Sequence, residues 1–563
     1  MDTKLFFENF DALAEAPGGV PKLRELILQL AVRGKLVEQD EEDEDALNIL
    51  EDIVSKKKKL IQAGNLKEKR PANIGSNAEI DFVIPKNWHA CKLGELGLVG
   101  SSSRVLKKDW QTRGIPFLRA REVVVLSKVG VVNNDLFITQ DLYDSLSRKG
   151  QVPQENDIMI TGVGTIGVPY VVKKDDHFYF KDASVLIFKN IFNIYTDYLL
   201  MFMRTPYWIE TIHQGSMGTT VHTFTISRAN EIPIPLPPLN EQKRIVAKVD
   251  ELMARCDELE EKQNKARECR VALNKSALHS LTSASNANDF SKSWRRVRDA
   301  FDFLYDTPET INDLRQAILQ LAVMGKLVEN GTGEVTRQIE KAHEERLAIG
   351  KKPKASYEAD PFFEIPDNWC WEKMDWLCKL ITDGEHSTPP RTEKGIPMGT
   401  AKNVRDGYID LTNTDYVSKE TAQKCWKRCK PKIDDILMVC VGATTGRMSI
   451  VTEKEDYVLV RSVALIRPNT IVMKSTYAKI CIQSPLGQQQ VWANVKQSAQ
   501  PCLYLGKIKE IIFPIPSLDE QEKIVDKVNE LMSICDTLEE QNTLVQSHST
   551  HLLNSIVDKI LTV

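Results

Sequence analysis

The fold of this chain is decided by a stretch of sequence that occurs twice. Residues 23–38 read LRELILQLAVRGKLVE, and residues 314–329 read LRQAILQLAVMGKLVE, with thirteen of sixteen positions identical. A second stretch, 239–260, returns at 518–539 with fourteen identities in twenty-two positions. The offsets of 291 and 279 residues indicate that the whole chain of 563 residues is two copies of one plan.

The repeated segments are predicted to be helical, and the segments between them to be two divergent domains. Helix is expected over 8–38 and 299–329, each ending at a Gly-Lys-Leu-Val step whose glycine permits a bend or a stop. The intervening segments show short β-like runs punctuated by Gly, Pro, Asn and Asp, each set followed by a helical stretch. The β-like runs are 123–126, 157–161, 170–173, 184–188, 435–441, 448–452 and 462–466, and the helical stretches are 196–212 and 475–495.

The predicted fold class is α+β, with two α/β domains joined by long helices in a pseudo-twofold internal repeat. Each domain opens with an Ile-Pro-x-Asn-Trp signature and closes on a proline-rich exit, which we expect to be a stiff spacer. The predicted boundaries are 1–81 for an N-terminal helical region, 82–238 for the first domain, 239–362 for a central helical region, 363–517 for the second domain and 518–563 for a C-terminal helix.

A long helix is expected after each domain. Its apolar stripe alternates steps of four and three residues, which is typical of coiled coils. The stripe residues are Ile245, Val249, Leu252, Cys256 and Leu259 in the first copy and Ile524, Val528, Leu531, Cys535 and Leu538 in the second. About forty residues of helix would be about 60 Å long at 1.5 Å per residue. One stripe position is polar in both copies, Gln263 and Asn542, and it is either an exposed slot or a polar layer that sets the register.

Composition bounds the class of protein. The chain is 42 % hydrophobic and 27 % charged, which is ordinary for a soluble globular protein. No apolar run approaches the roughly 20 residues that cross a bilayer. The N-terminus lacks the pattern of a secretion signal, and the eleven cysteines are then expected to be reduced thiols. These features predict a cytoplasmic protein with no membrane partner.

No catalytic motif is evident in the sequence. There is no P-loop and no Asn/Asp-Pro-Pro-aromatic segment of the kind that holds a target amine in amino-methyltransferases. The glycines of 162–167 superficially suggest a dinucleotide loop, but the matching 442–446 reads differently, and a tight turn between two strands is the better interpretation. The spacing of Cys425 and Cys429 is poor for zinc. We predict no catalytic residue and no metal site.

The charge is divided unevenly along the chain. The net charge is −4, yet residues 82–232 carry about +3 and residues 363–513 about +4, which leaves about −11 on the remainder. Attraction to phosphate depends on the local field and not on the total charge. The two domains therefore favour nucleic-acid binding, although a solvated charged face also explains an excess this small.

Basic and polar clusters supply the candidate DNA contacts. Lysine and arginine neutralise phosphates, arginine also grips guanine edges, and glutamine pairs with adenine. The candidates in the first domain are Arg104, Lys107, Lys108, Arg113, Arg119 and Arg121, with Thr219, Thr220 and His222 in a polar loop. In the second domain they are Lys402, Lys424, Lys427, Arg428 and Arg447, with Gln497 and Gln500 in the matching loop.

Taken in order, and twice over, these motifs resemble the specificity subunit (HsdS) of type I restriction-modification systems across essentially the full length. The motifs are Ile-Pro-x-Asn-Trp at 84–88 and 365–369, the central turns within 157–167 and 435–446, Gln-Ser-Ala-Gln-Pro at 497–501 and Pro-Leu-Pro-Pro-Leu-Asn-Glu-Gln at 235–242. The first domain departs from the pattern, because residues 215–220 read GSMGTT where the family often has an Ala-Gln pair.

The resemblance implies a subunit without an active site whose two target-recognition domains each read one half of a split target in double-stranded DNA. Two long antiparallel helices would set the spacer and dock two modification subunits, and the apolar stripe would take part in the docking. Restriction subunits would join the complex. This chain would bind no cofactor, and S-adenosylmethionine, ATP and Mg would bind to the partner subunits.

Two alternatives from other classes remain at this stage. One is a coiled-coil adaptor that binds only protein, and the other is a self-contained DNA methyltransferase or nuclease, against which the missing motifs argue. The DNA sequence recognised cannot be inferred from these residues.

Overall fold

A computed structural model describes residues 3–64, 78–149, 152–214, 223–329, 331, 333, 335–349, 359–496 and 501–562. The chain forms two compact units. Unit 1 consists of residues 1–265 and 545–563, and unit 2 of residues 266–544. Each unit thus contains one repeated helical region, one divergent domain, the beginning of one long helix and the end of the other. The domain boundaries proposed above remain a prediction.

The helices of unit 1 precede and interrupt its domain. They are α1 (Thr3–Glu8), α2 (Phe10–Glu15), α3 (Gly19–Val32), α4 (Leu47–Gln62), α5 (Leu93–Leu96), α6 (Ala120–Val129), α7 (Gln140–Ser147), α8 (Thr196–Phe202), α9 (Pro206–Gln214) and α10 (Ile226–Glu231), with a 3-10 turn at Lys107–Asp109. The first long helix, α11 (Leu239–Thr282), begins in unit 1 and ends in unit 2.

Unit 2 repeats this order with small changes. Its helices are α12 (Ala287–Asp299), α13 (Phe301–Leu304), α14 (Pro308–Val323), α15 (Thr336–Ala348), α16 (Met374–Leu377), α17 (Lys419–Trp426), α18 (Ser475–Gln483), α19 (Pro485–Ala493) and α20 (Leu505–Lys509). The second long helix, α21 (Leu518–Thr562), begins in unit 2 and ends in unit 1. The two long helices have 44 and 45 residues, which confirms the predicted length.

Among the described residues, each domain has nine strands. In unit 1 they are β1 (His89–Lys92), β2 (Leu98–Ser101), β3 (Ile115–Leu118), β4 (Phe137–Ile138), β5 (Ile158–Thr161), β6 (Pro169–Val171), β7 (Tyr179–Phe180), β8 (Val185–Lys189) and β9 (Pro233–Leu236). In unit 2 they are β10 (Cys370–Lys373), β11 (Cys378–Asp383), β12 (Ile396–Gly399), β13 (Asp415–Val417), β14 (Ile436–Val439), β15 (Met448–Ile450), β16 (Val458–Leu459), β17 (Val463–Pro468) and β18 (Ile512–Ile515).

The strands of the two domains are connected in the same way. Unit 1 has an antiparallel sheet in the order β2-β8-β5-β6, a mixed sheet β4-β3-β7 and a ribbon β1-β9. Unit 2 repeats these as β11-β17-β14-β15, β13-β12-β16 and β10-β18. The divergent segments therefore share one fold, which bears out the predicted mixed helix-and-sheet class and the internal repeat.

Six of the seven predicted strands are confirmed, and the seventh is wrong. Residues 123–126 lie within helix α6. The Glu122 carboxylate accepts the backbone N–H of Arg119 at 2.9 Å and closes the first turn, and Gly130 ends the helix with a φ of +77°. These capping contacts outweigh the strand preference of the three consecutive valines.

The proline-rich exits are strands and not the spacers that were predicted. Strand β9 pairs antiparallel with β1, placing Leu236 opposite His89, and β18 pairs with β10 in the same way. A two-stranded ribbon tolerates proline because each strand uses only one edge for hydrogen bonds. The ribbon joins the beginning of each domain to its end, beside the start of the long helix.

The predicted helical stretches near the end of each domain are broken into two helices. Pro206 begins α9 and Pro485 begins α19. Proline lacks a backbone N–H and favours the first turn of a helix, so each one starts a new helix instead of continuing the old one.

A buried tryptophan–glutamate contact attaches each domain to its long helix. The indole N–H of Trp88 donates to Glu241 Oε2 at 2.8 Å, and that of Trp369 donates to Glu520 Oε1 at 2.9 Å. Both glutamates lie in the first turn of a long helix and are almost fully buried. Burial raises the pKa of Glu241 above its ordinary value, and the N–H groups of Trp88 and Gln39 oppose this rise.

The glycine of the repeated Gly-Lys-Leu-Val step is required by the same junction. Gly34 and Gly325 have φ of +67° and +70°. A Cβ there would come within 2.3 Å of the ring of Pro85 or 2.7 Å of the ring of Pro366. Glycine therefore ends the preceding helix and lets the Ile-Pro-x-Asn-Trp segment pack against it.

The apolar stripe of each long helix packs into the core of the unit in which the helix begins. Arg24 pairs with Asp257 and Glu260 in unit 1, as Arg315 pairs with Asp536 and Glu539 in unit 2. The polar stripe position also has a defined partner in each unit: Gln263 Nε2 donates to the Ala14 carbonyl at 2.9 Å, and Asn542 Nδ2 to the Tyr305 carbonyl at 3.0 Å. Gln263 is exposed, as the first alternative predicts, whereas Asn542 is half-buried. Each amide also satisfies a carbonyl at the end of α2 or just after α13, and these contacts do not form the predicted polar layer.

No helix within the described part of the chain is long and apolar enough to cross a membrane.

We expect Trp88→Phe to destabilise unit 1. Loss of the indole N–H leaves the ionised, buried Glu241 with one donor fewer, at a cost of about 1–3 kcal/mol. The folded-state pKa of Glu241 should rise further, so the loss should be largest at neutral pH and should shrink as the pH falls through the raised folded-state pKa of Glu241, above its ordinary value of 4.5. Urea unfolding of the full chain at several pH values measures this.

The matched control for this substitution is Trp294→Phe, because Trp294 is 45 % exposed on α12. Its unfolding midpoint should equal that of the unmodified chain. Equal midpoints for Trp88→Phe and Trp294→Phe at neutral pH would contradict the stabilising role of the Trp88–Glu241 contact.

Candidate nucleic-acid interface

A central turn links β5 to β6 in the first domain and β14 to β15 in the second. Gly167 and Gly446 adopt φ of +79° and +90° there, and Gly167 also accepts the indole N–H of the buried Trp208 at 2.9 Å. A Cβ on Gly167 would come within 2.1 Å of Ile212. The glycine-containing motif is thus a tight turn between two strands, as predicted.

The chain that follows each polar loop pairs with the central turn. Val163 bridges Thr223, and the Phe224 N–H donates to the Gly162 carbonyl at 2.8 Å. In the second domain Val441 bridges Cys502. The five polar-loop candidates lie outside the described residues: Thr219, Thr220, His222, Gln497 and Gln500. Their contacts with bases remain a prediction.

Four basic residues of the first domain are exposed and form no ion pair within the described part of the chain: Arg104, Lys107, Lys108 and Arg113. They lie between β2 and β3, around the 3-10 turn. Because no carboxylate neutralises them, they contribute their full charge to the local field. These four side chains can therefore bind phosphate groups.

Arg119 and Arg121 differ from these four, because both are held by carboxylates. Arg119 lies 2.7 Å from Glu122 and 2.5 Å from Asp135, and Arg121 lies 2.5 Å and 2.8 Å from the same two groups. Burial opposes ionisation of Glu122, but the hydrogen bonds from both arginines hold its pKa below the ordinary value. The two arginines therefore stabilise the start of α6.

Arg119 and Arg121 also line a cleft beside the central turn. The cleft of about 460 Å³ includes Val163, Gly164 and Lys181. Lys181 forms no ion pair within the described residues, and it was not among the candidates. The sequence shows it only as one more lysine in a charged stretch, so its placement here depends on the pairing of β7 with β3.

The basic residues of the second domain also fall into two groups. Lys402, Lys424 and Lys427 are exposed and form no ion pair within the described range. Arg447 has only a distant carboxylate, Asp406 at 3.9 Å. Arg428 is held in place, since its guanidinium bonds to the Asp383 carboxylate and its Nε donates to the Asp383 carbonyl at 3.2 Å.

Arg428 lines a pocket of about 290 Å³ together with Arg461 and Tyr504, neither of which was a candidate. Arg461 is an isolated basic residue in the sequence between strands β16 and β17, and Tyr504 precedes the five-residue helix α20. No pattern of spacing marks either residue in the sequence.

The stripe residues predicted to dock partner subunits are mostly buried. Ile245, Val249, Leu252 and Cys256 lie in the core of unit 1, with Leu259 partly buried. Ile524, Val528 and Cys535 lie in the core of unit 2, with Leu531 and Leu538 partly buried. They form the packing face of each unit, and a further role in docking remains a prediction. Leu273, Leu544, Val545 and Leu552 on the same helices are at least half exposed.

The structure brings no group of three or more metal-ligating side chains together among the described residues. Cys425 and Cys429 are buried. Burial raises the pKa of the Cys429 thiol to about 12. This thiol is therefore protonated at neutral pH.

Comparisons with known proteins identify the family. A family model described as the type I restriction modification DNA specificity domain matches residues 85–267 and 392–545. The chain is similar to two type I restriction enzyme specificity subunits of Escherichia coli. The specificity subunit of the EcoAI enzyme is 25 % identical to this chain, and the alignment covers 96 % of this chain and 93 % of the relative. The specificity subunit of the EcoEI enzyme is 26 % identical, and the alignment covers 96 % of this chain and 94 % of the relative.

A solved HsdS subunit from Thermoanaerobacter tengcongensis is 16 % identical and covers 86 % of this chain and 98 % of its own, with a TM-score of 0.42. The family assignment does not depend on this likeness. It rests on the family model, whose two segments span more than half of the chain and include both central turns. The chain therefore belongs to the type I restriction-modification DNA specificity family.

Proposed function

We propose that the two domains each bind one half of a bipartite target in double-stranded DNA. In this proposal the long helices fix the distance between the halves and dock two modification subunits. The observation that carries the proposal is that two domains with the same strand order are attached to the helices in the same way but carry different side chains around their central turns.

The equivalent attachments support an equivalent orientation of each domain within its unit. Besides the Trp–Glu contacts, the Tyr198 hydroxyl donates to the Pro235 carbonyl at 2.6 Å, and that of Tyr477 to the Pro514 carbonyl at 2.8 Å. A shared orientation with different surface residues suits two readers of different sequences.

The distribution of charge supports different roles for the domains, which would bind DNA, and the helices, which would bind protein. The domains are mildly basic and the remainder of the chain is acidic. Phosphate is attracted to the former and repelled by the latter, and the acidic helix α21, with nine Asp or Glu against three Lys, suits protein partners. The exposed apolar residues Leu273, Leu544, Val545 and Leu552 supply apolar surface for such partners.

The chain acts without catalysis of its own in this proposal. The modification subunits would bind S-adenosylmethionine and methylate adenine, and restriction subunits would use ATP and Mg. These cofactors are proposed for the partners by family resemblance.

Exchanging one domain should change one half of the target. We expect replacement of residues 89–236, which the β1–β9 ribbon closes, with the matching domain of a relative to alter only one half of the methylated sequence. Sequencing the methylated bases of a host that carries the complete system measures this. The reciprocal control, exchange of residues 370–515, should alter the other half. A change in both halves, or in neither, after either exchange rules out independent reading.

Neutralising Arg113 should flatten the salt dependence of DNA binding. Arg113 is exposed and has no ion-pair partner in the described structure, so Arg113→Ala should change the slope of log affinity against log salt by about 0.9. The loss should be similar on all DNA sequences. The assembled complex, titrated with DNA at several salt concentrations, provides the measurement.

Arg295→Ala is the matched control, because Arg295 is an exposed arginine on α12, outside both domains. Its slope should equal that of the unmodified complex. If Arg113→Ala also leaves the slope unchanged, Arg113 belongs to a solvated face and does not contact phosphate.

Lengthening both long helices should lengthen the spacer. The units divide α11 at 265/266 and α21 at 544/545, so four residues inserted after Gln263 and after Asn542 fall next to these boundaries. Four residues add about 6 Å and roughly one turn, close to two base pairs at about 3.4 Å each. We expect a longer spacer between unchanged half-sites, read from the methylation pattern.

The control for the insertion replaces residues 264 and 265 with alanine, which leaves the helix length the same and should preserve the original spacer. An active complex that carries both insertions and still recognises the original spacer would contradict the role of the helices as a ruler.

A further inference from the structure

The second domain has a cationic pocket beside its central turn. Its polar and aromatic lining comes from Asp383, His386, Arg428, Arg461, Cys502 and Tyr504, and its volume is about 290 Å³. The Leu503 N–H donates to the Cys440 carbonyl at 2.9 Å, and Cys502 bridges Val441. These bonds fix one wall of the pocket to the turn between β14 and β15.

One arginine of the pocket is fixed by protein groups. The Arg428 guanidinium bonds to the Asp383 carboxylate, which is 8 % exposed as a residue, and lies 2.7 Å from His386 Nε2. Arginine is only a donor, so His386 Nε2 is the acceptor in this contact. Most of the hydrogen-bonding capacity of Arg428 is therefore used within the domain, and Arg428 forms a wall.

The other arginine has its donors available. Arg461 is exposed, and its side chain makes no ion pair or hydrogen bond within the described residues. Its backbone is fixed, because its N–H donates to the Glu385 carbonyl at 3.0 Å. Tyr504, which is 49 % exposed, adds an aromatic surface to the same pocket. The pocket thus presents a free planar guanidinium beside an aromatic ring.

The first domain lacks this pocket at the equivalent positions. The segment between β7 and β8 is one residue longer than the segment between β16 and β17, and it places Asp182 and Ala183 where the second domain has Arg461. Thr225 stands two residues after Thr223, which pairs with the central turn. Tyr504 stands at the same distance after Cys502 in the second domain. Neither Asp182 nor Ala183 has a guanidinium, so the first domain lacks the arginine fork at this place. The pocket is therefore a property of one domain within a shared fold, as expected for a determinant of sequence preference.

We propose that this pocket reads a guanine in the half of the target bound by unit 2, with the Arg461 guanidinium donating to both O6 and N7. The inference rests on the proposed function and assigns one of its base contacts. Guanine presents two acceptors on its major-groove edge, and the arginine fork matches them. A phosphate offers acceptors to the same group, but the Tyr504 ring that lines the same pocket suits a planar base better than a backbone phosphate.

The test uses the full chain assembled with its two modification subunits, on duplexes that carry the methylated sequence. Arg461→Lys keeps the charge and removes the fork. We expect the preference for guanine at one position of the unit 2 half-site to fall roughly 5- to 150-fold. The slope of affinity against salt and the preference at the other half-site should stay the same, which also shows that the variant is folded.

Two further arms separate the base from the phosphate. Replacing the guanine with 7-deazaguanine, which lacks the N7 acceptor, should weaken binding by the unmodified complex but not by Arg461→Ala, which has no side-chain donor. Arg391→Lys, an exposed arginine of the same domain outside the pocket, should behave like the unmodified chain.

Several outcomes overturn the proposal. One is a unit 2 half-site without guanine, and another is unchanged preference in Arg461→Lys. A third is uniform weakening on all sequences by Arg461→Gln with a salt slope flattened by about one, which marks a phosphate contact. An unmodified complex with no sequence preference would instead overturn the proposed function, so the two failures are distinguishable.

Discussion

The buried hydrogen bond between a tryptophan and the first turn of a long helix is the contact on which the rest of this structure depends. Trp88 and Trp369 each donate to a glutamate that is almost fully shielded from water. A buried carboxylate is costly unless donors surround it. The contact therefore fixes where the domain begins relative to the helix. Gly34 and Gly325 complete the junction by allowing a proline ring to approach the chain closely.

This constraint explains which parts of the chain repeat and which diverge. The repeated motifs supply the junction: the tryptophan, the glutamate, the glycine and the proline-rich strand that closes each ribbon. The surface around the central turn is free of these demands. Unit 1 has a helix with ion-paired arginines there, whereas unit 2 has a pocket with an unpaired one. A repeated framework that tolerates such changes can hold two domains with different binding preferences.

The sequence predicted the frame better than the surface. The sequence was sufficient to predict the repeat, the long helices and six of seven strands, because periodicity and turn residues are local signals. Residues 123–126 were misassigned because capping by Glu122 and Gly130 outweighed the strand preference of valine. Ion pairing of Arg119 with Asp135 and the pocket position of Arg461 were not legible, because both depend on contacts between segments far apart in the chain. The polar-loop candidates, such as Gln497, lie outside the described residues.

The most direct test of the account is the sequence methylated by the complete, unmodified system, read across the genome of a host that carries it. Two different domains on one repeated frame predict a single asymmetric target: two unlike half-sites separated by a fixed number of unspecified base pairs. A palindromic target, a continuous target or a spacer of variable length would contradict the claim that each unit reads its own half.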